Sequence, residues 1–334
     1  MEWTAIPHLE KKATRIGLGT WAIGGWMWGG SDETLAISTI HQALDQGLNF
    51  IDTAPVYGFG TSEEIVGKAL KQYGQREKIV IATKVGLRWK DKTVYRDSSR
   101  ASLLKEVEDS LRRLQVDYID LYQVHWPDPS VSIEELATTL KELQKQGKIR
   151  AIGVSNFSTE QMDAFRHYTP LDALQPPFNL FEREIEQTEL PYCRKNGIAT
   201  VGYGSLCRGL LSGKLRKDSK FEGDDLRKID PKFKAPRYSH YLEAADRLQT
   251  WVKDKYQKPL LALAVRWALD SGISIALWGA RKPEQLKDMQ TVWNWKLFPE
   301  DFEEIDRILQ ACIKDPIGPE FMAPPLEKPA FIQH

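Results

Sequence analysis

Cysteine is scarce in this chain: Cys193, Cys207 and Cys312 are the only three in 334 residues. They are odd in number and far apart, so neither a disulfide framework nor a zinc knuckle fits, and a reducing cytoplasm is the expected compartment. Net charge is also missing. Lys+Arg and Asp+Glu both number 46, a formal charge of +0, which argues against a bulk nucleic-acid or membrane surface. No long apolar run occurs. The most apolar helical stretch, LLALAVRWAL, is short and contains Arg266, so no membrane span is predicted. The opening MEWTAIPHLEKK lacks a basic region followed by an apolar core, and no secretory signal is visible there. No cluster of His, Asp and Glu has the spacing of a ligand set, so no metal site is expected. Finally, no linker and no internal repeat of 20–50 residues divides the chain, and a single domain over 1–334 is the expectation.

What remains suits a packed globule. Apolar residues make up 42% and charged residues 28%, and the eleven tryptophans make an aromatic-walled pocket worth seeking. Short runs rich in Ile, Val and aromatics alternate with longer amphipathic stretches. Strands are predicted at 15–19, 49–52, 78–84, 118–125, 151–155, 172–175, 199–203 and 273–278. Helices are predicted at 32–46, 62–71, 98–114, 133–146, 159–167, 184–196 and 282–293, the 62–71 helix starting on a cap-like Ser62. Buried parallel strands read as continuous apolar runs of this kind. The strand–helix rhythm predicts an α/β (β/α)8 TIM barrel, with a doubly wound sheet as the structural competitor. Residues 1–15 break the rhythm and suggest an N-terminal β-hairpin under the barrel. Residues 204–237 form a long loop after strand 7, of a length that is usually functional or disordered.

Chemistry in a parallel barrel gathers at the C-terminal ends of the strands. The second strand ends in Asp52, the third in Lys84, the fourth in His125, the fifth in Ser155-Asn156, the sixth in Gln175 and the seventh in Tyr203. Singly, each has an ordinary role: a turn cap for Asp52, a surface-reaching amine for Lys84, a structural imidazole for His125. Together, Asp, Lys and His on three successive strands face one mouth, with Tyr57 in the loop above. A buried Lys84 needs the counter-charge of Asp52, and its ammonium should lower the pKa of the Tyr57 phenol. Such a phenol exchanges a proton with a carbonyl or alcohol oxygen while His125 donates to the same oxygen. The set suits proton transfer coupled to hydride transfer at carbon.

Two motifs mislead. GLGTWA at 17–22 has a dinucleotide-fingerprint form, but IGGWMWGG follows it and will not open the helix that a Rossmann site needs. GLLSGK at 209–214 is one residue short of a P-loop, and Leu215 stands where Ser or Thr belongs.

At these residues the chain resembles the aldo-keto reductase superfamily over nearly its whole length, through FIDTAPVYG, IATKVG, LYQVHWP, GVSNF, the Tyr203–Ser205 segment and GARKPEQL. FNLFERE, GSLCRGLLSGK, FEGDDLR, ALWGARKP and DPIGPEFMAPP look like the bacterial general-stress members. The resemblance implies a (β/α)8 barrel that binds NADPH in extended form. It implies a catalytic tetrad of Tyr57 as general acid, Lys84 and Asp52 as its tuning pair, and His125 as the substrate-orienting donor. Ser155, Asn156 and Gln175 match the ligands of the nicotinamide carboxamide, and Tyr203 the aromatic that stacks on its ring. The loop around Arg208 and Lys214, joined by Arg227, would lie against the pyrophosphate. Arg281 would meet the adenosine 2′-phosphate at a helix N-terminus, which favours NADPH over NADH. Thr20, Trp21, Asp52, Gly204, Ser205, Leu206, Gly209, Gly279, Ala280 and Gln285 complete the implied cofactor set. Asp288 and Met289 stand where the superfamily often has an Asn near the adenine. Trp21, Tyr57, Trp89, His125 and Trp126 would form the substrate pocket, with Trp26 and Trp28 as further walls and residues 317–325 folding across the opening. The expected activity is NADPH-dependent reduction of aldehydes and ketones, with stress-related carbonyl detoxification as the setting the resemblance suggests; an NADPH-binding sensor or accessory subunit with little turnover is the alternative. The expected partner is a small carbonyl substrate, with no nucleic acid or membrane; the sequence leaves the oligomeric state open, a monomer being compatible with it.

Overall fold

The computed structural model describes residues 1–326; the end of the expected 1–334 domain lies outside the described residues. Eight parallel strands close into a barrel: β1 (Ile16–Gly19), β2 (Phe50–Asp52), β3 (Val80–Val85), β4 (Ile119–Val124), β5 (Ile149–Ser155), β6 (Ala173–Gln175), β7 (Ala199–Gly202) and β8 (Ile275–Gly279). Neighbours in sequence are neighbours in space, and β8 pairs with β1. The barrel is the (β/α)8 form, not the doubly wound sheet. Helices lie between the strands: α1 (Glu33–Asp45), α2 (Thr61–Tyr73), α3 (Arg100–Leu114), α4 (Ile133–Lys145), α5 (Thr159–Arg166) and α6 (Glu189–Asn196), then α7 (Arg237–Tyr256) and α8 (Leu260–Asp270) before β8, and α9 (Pro299–Cys312) after it. Among the described residues, no helix is long and apolar enough to cross a membrane.

Strand alternation explains where the site sits. Side chains two apart share a face of a strand. Phe50, Val80, Ala82, Leu121, Ala151, Ala173, Val201 and Ile275 fill the barrel interior, and one step further along the same faces stand Asp52, Lys84, Gln123 and Gln175. The barrel is thus apolar below and polar at its C-terminal rim. Two glycines make room: a Cβ on Gly17 would lie 2.6 Å from the Phe50 ring, and one on Gly153 would lie 2.8 Å from Gln123. Below, Trp3–Thr4 pairs antiparallel with Ala13–Thr14, and Ile6 and Ala13 close the interior.

Several elements differ from their sequence patterns. The 282–293 helix is two 3-10 turns, Pro283–Leu286 and Met289–Val292. Gln285 N bonds to Lys282 O and Thr291 N to Asp288 O, each at 3.0 Å, so the chain closes three-residue turns and not a helix. The 184–196 stretch begins with a separate 3-10 turn, Glu184–Glu186. Ser62 does not cap α2, whose N-cap is Gly60; its hydroxyl is buried between Thr20 Oγ1 and Thr53 Oγ1, at 2.8 and 2.9 Å. A hairpin not anticipated from the sequence, Leu87–Lys90 against Thr93–Arg96, rises between β3 and α3.

Candidate active site

Asp52, Lys84 and Tyr57 meet at the barrel mouth. Lys84 is fully buried, and its Nζ donates to Asp52 Oδ2 at 2.7 Å, to Thr53 O at 3.0 Å and to the Tyr57 hydroxyl at 3.3 Å. Asp52 Oδ1 accepts from Gln175 Nε2 at 2.7 Å and Gln123 Nε2 at 3.3 Å. The buried carboxylate is therefore saturated by an ammonium and two amides, as a charge in that position requires. Tyr57 rides on a tight loop: Tyr57 N bonds to Ala54 O, and Gly60 N to Pro55 O. Gly58, at φ 65°, sits where a Cβ would meet Gly24 O at 2.0 Å. The helical turn Trp21–Gly24 packs on this loop, and the Trp21 and Tyr57 rings stack at 5.9 Å. His125 stands edge-on to Tyr57, with ring centres 5.8 Å apart.

The electrostatics correct one expectation. Tyr57 has its pKa raised well above the usual phenol value, first by burial and then by Asp52. The Lys84 charge is already committed to Asp52, so the pair exerts little net pull on the phenol. His125 is pushed well below the ordinary imidazole value by burial and by Lys84, which leaves a neutral ring. Lys84 itself is lowered by burial, against the opposing pull of Asp52 and Glu63. At neutral pH the mouth therefore presents two neutral proton carriers, Tyr57 and His125, above a paired Asp52 and Lys84.

Two connected cavities open here and share Trp21, Tyr57, Tyr203 and Met322. The first, of about 400 Å³, is walled by Trp21, Trp26, Trp126, Val56, Leu87 and Phe321, with Tyr57 and His125 also on its surface. The tail contributes Phe321, Met322, Pro324 and Pro325, held by Arg96 Nη2 donating to Pro324 O at 2.7 Å. Trp89 does not reach this cavity; its ring meets Phe59 at 5.8 Å, outside the wall. Ser155, Asn156 and Gln175 converge at the floor. Asn156, left-handed at φ 61°, donates to His125 O and Ser155 Oγ, both at 3.0 Å, and accepts from the Tyr203 hydroxyl at 3.0 Å. It does not cap α5; Ser158 does.

The second cavity is a groove of about 370 Å³ running from Asp52 and Tyr57 past Gly204, Ser205, Leu206 and Gly209 to Gly279, Ala280, Arg281 and Gln285. Thr20 lines it too, with its hydroxyl committed to Asp52 O at 2.9 Å. The groove's cations are less free than the sequence suggests. Arg208 is buried in an ion-pair knot: it donates to Glu182 and, at 2.5 Å, to Asp230 Oδ2, while Lys232 Nζ lies 2.9 Å from Glu182 Oε1. Its charge is neutralised, which corrects the expectation of a phosphate-facing cation. Arg227 forks onto Asp225. Arg281 donates to Trp28 O, and the amides of Arg281 and Lys282 are both taken by Gln285 Oε1, at 2.8 and 3.1 Å. No free helix N-terminus stands there, because the segment is a 3-10 turn that Gln285 caps. Lys214 is exposed on the wall. Asp288 stands at the N-cap position of the second 3-10 turn without a side-chain capping bond, and Met289 is buried in the core.

The groove nevertheless fits an elongated dinucleotide. Ser205 Oγ, Trp21 Nε1 and Trp28 Nε1 are buried without a hydrogen-bond partner, all on groove residues. Buried polar atoms are rarely left so. Lys214 and Arg281, neither of them paired with a carboxylate among the described residues, supply positive charge beside them.

Gln123 and Thr53 escaped the sequence analysis. Gln123 had a signal: an amide two residues before His125, on the inward face of an otherwise apolar strand.

The aldo/keto reductase family matches residues 15–310. The aldo-keto reductase YhdN of Bacillus subtilis (strain 168) is 59% identical over 326 residues, 97% of this chain and 98% of its own. The NADH-specific methylglyoxal reductase of Escherichia coli (strain K12) is 38% identical over 306 residues, 86% of this chain and 92% of its own. Among solved structures, a glycerol dehydrogenase from Gluconobacter oxydans superposes with TM-score 0.88 at 52% identity, covering 96% of this chain and 99% of its own. A holo-form aldo-keto reductase from Bacillus halodurans does so with TM-score 0.77 at 28% identity, over 92% and 96%. Similarity of this extent, on the same barrel, shows that the chain belongs to the aldo/keto reductase family, oxidoreductases that act on carbonyl compounds with a nicotinamide cofactor.

Proposed function

We propose that this chain is an NADPH-dependent carbonyl reductase in which Tyr57 is the general acid. The observation that carries the proposal is the contact of Lys84 Nζ with the Tyr57 hydroxyl at 3.3 Å, beneath a cavity that Tyr57 and His125 both line. A carbonyl oxygen placed between Tyr57 and His125 meets two neutral donors. Burial keeps Tyr57 protonated, so its proton is available at neutral pH. As the proton moves to the substrate oxygen, negative charge grows on the phenolic oxygen and faces Lys84. That interaction strengthens in the transition state, which is what lowers a barrier. His125, held neutral, contributes an N–H and orients the substrate. The aromatic walls Trp21 and Trp126 pack the body of the substrate and exclude water.

NADPH, when bound, supplies the hydride to the carbonyl carbon. Asn156, Ser155 and Gln175 would hold its carboxamide, Tyr203 its ring, and Ser205, Lys214 and Arg227 its pyrophosphate. Arg281 is the residue we assign to the 2′-phosphate; pairing it there exchanges its bond to the Trp28 carbonyl for a charge-assisted one. A dehydrogenation direction uses the same groups in reverse. We also propose a reducing, cytoplasmic setting, in keeping with three buried free thiols.

Tyr57→Phe tests the mechanism. General acid assistance is typically worth about 10²–10⁴ in rate, so the variant should bind NADPH by fluorescence titration and lose turnover of small aldehydes by about that factor. Normal turnover would sink the assignment. Arg281→Ala should raise KM for NADPH much more than KM for NADH; equal effects, or a wild-type preference for NADH, would remove the 2′-phosphate assignment.

A further inference from the structure

We propose that the substrates best suited to this site carry a carboxylate at the end remote from the carbonyl, and that Lys92 receives it. This rests on the carbonyl-reductase reading above and names the substrate class within it. The hairpin between β3 and α3 is not needed to close the barrel, yet Leu87, Lys92, Thr93 and Val94 from it line the substrate cavity. Its tip is the two-residue turn Asp91-Lys92, with φ of 49° and 65°. Two left-handed residues in succession make the hairpin turn that normally selects Asn-Gly. A lysine there gives up the freedom that glycine would bring, and places the amine-bearing residue at the cavity rim.

The charge on the cavity wall is one-sided, since Asp91, the neighbour of Lys92 in the turn, does not line the cavity. Among the described residues that line this cavity, Lys92 is the sole Lys, Arg, Asp or Glu. Tyr57, Tyr203 and His125 are neutral there, the two phenols pushed up and the imidazole pushed down by burial. Asp52 and Lys84 cancel each other beneath the floor. A ligand whose carbonyl sits between Tyr57 and His125, and whose body packs on Trp21, Trp26 and Trp126, meets only one fixed charge, and it is positive. No acidic side chain on the wall opposes an anion. The amine is exposed, so the pairing is a modest, salt-screened one that adds selectivity to an apolar grip.

Matched substrates test this. With NADPH and the full chain, kcat/KM is measured for 4-formylbenzoate and for its methyl ester, in wild type, Lys92→Met, Lys92→Arg and Lys92→Glu. The acid-to-ester ratio of each variant is divided by the wild-type ratio, which cancels the different intrinsic reactivity of the two aldehydes. We expect this quotient to fall about three- to tenfold for Lys92→Met, further for Lys92→Glu, and to stay near one for Lys92→Arg. The loss should lie mainly in KM and shrink between 50 mM and 500 mM salt. A series of straight-chain aldehydes ending in carboxylate should then show one preferred length. A quotient near one for both Lys92→Met and Lys92→Glu, with the ester still reduced, overturns the role of Lys92 alone. Failure of the wild type to reduce either aldehyde overturns the carbonyl-reductase reading as well.

Discussion

Glu106 offers a quantitative test of how this fold tolerates a buried acid. It lies on the inner face of α3, 4% exposed, against the base of the inserted hairpin. One carboxyl oxygen accepts from Ser102 Oγ at 2.8 Å. The other has no hydrogen-bond partner, and the hydroxyls of Tyr122 and Ser98 are likewise unpartnered. Burial pushes the Glu106 pKa up from 4.5 to about 8, while Ser102 and Arg88 pull the other way and Asp97 adds to the rise. Between those two values the folded chain holds a proton that the unfolded chain releases, so stability falls as pH rises from 4.5 to about 8. Below 4.5 both states are protonated and the penalty vanishes. At roughly 1.4 kcal/mol per pH unit, the gap sets a ceiling of about 5 kcal/mol. Glu106→Gln keeps the shape and an acceptor for Ser102 but cannot ionise. Urea unfolding of both proteins at pH 5 and pH 8.5 reads the difference. The variant should gain on the wild type as pH rises; half the ceiling moves the midpoint by roughly 1 M at an m-value of about 2–3 kcal/mol/M. A pH-independent offset between the two would show that Glu106 is not the titrating group.

Three further substitutions probe the site from other sides. Lys84→Met removes the partner of Tyr57 and leaves Asp52 buried with only amide donors; breaking such a pair costs about 3–5 kcal/mol, so the variant should melt earlier and lose turnover, and an unchanged melting temperature would contradict the buried pairing. Gly58→Ala puts a methyl 2.0 Å from the Gly24 carbonyl at a left-handed φ; we expect at least about 1–3 kcal/mol of lost stability together with lower kcat, and wild-type kinetics would mean the Tyr57 loop is not held by this contact. Glu182→Gln leaves Arg208 and Lys232 facing each other with Asp230 as their one remaining carboxylate. Glu182 stays ionised because these two cations outweigh its burial. The variant should raise the NADPH dissociation constant and become more sensitive to proteolysis in 204–237, and unchanged cleavage would refute a bracing role for the knot.

The parts of the site that the sequence made legible are those set by local rules. A parallel strand repeats its inward face every second residue and chemistry gathers at one end, so Asp52, Lys84 and His125 stand out as polar residues closing apolar runs, and Tyr57 follows within one turn. What stayed hidden depends on which distant charges meet. Arg208 reads as a free cation in a glycine-rich loop; only the fold brings Glu182 from the β6–α6 connection and Asp230 from 22 residues downstream onto its guanidinium. The same holds for Lys232, whose Nζ reaches Gly318 O, 86 residues away, at 2.9 Å. No periodicity encodes such a closure. Yet its consequence is local to function: Gly318 begins the tail whose Phe321 and Met322 line the substrate cavity, and Arg208 opens the loop that walls the groove. The buried knot therefore ties the segment proposed to meet the pyrophosphate to the segment that covers the substrate. If that loop holds the pyrophosphate as proposed, Arg208 would act on it indirectly, because its ion pairs with Glu182 and Asp230 fix the backbone beside Gly209.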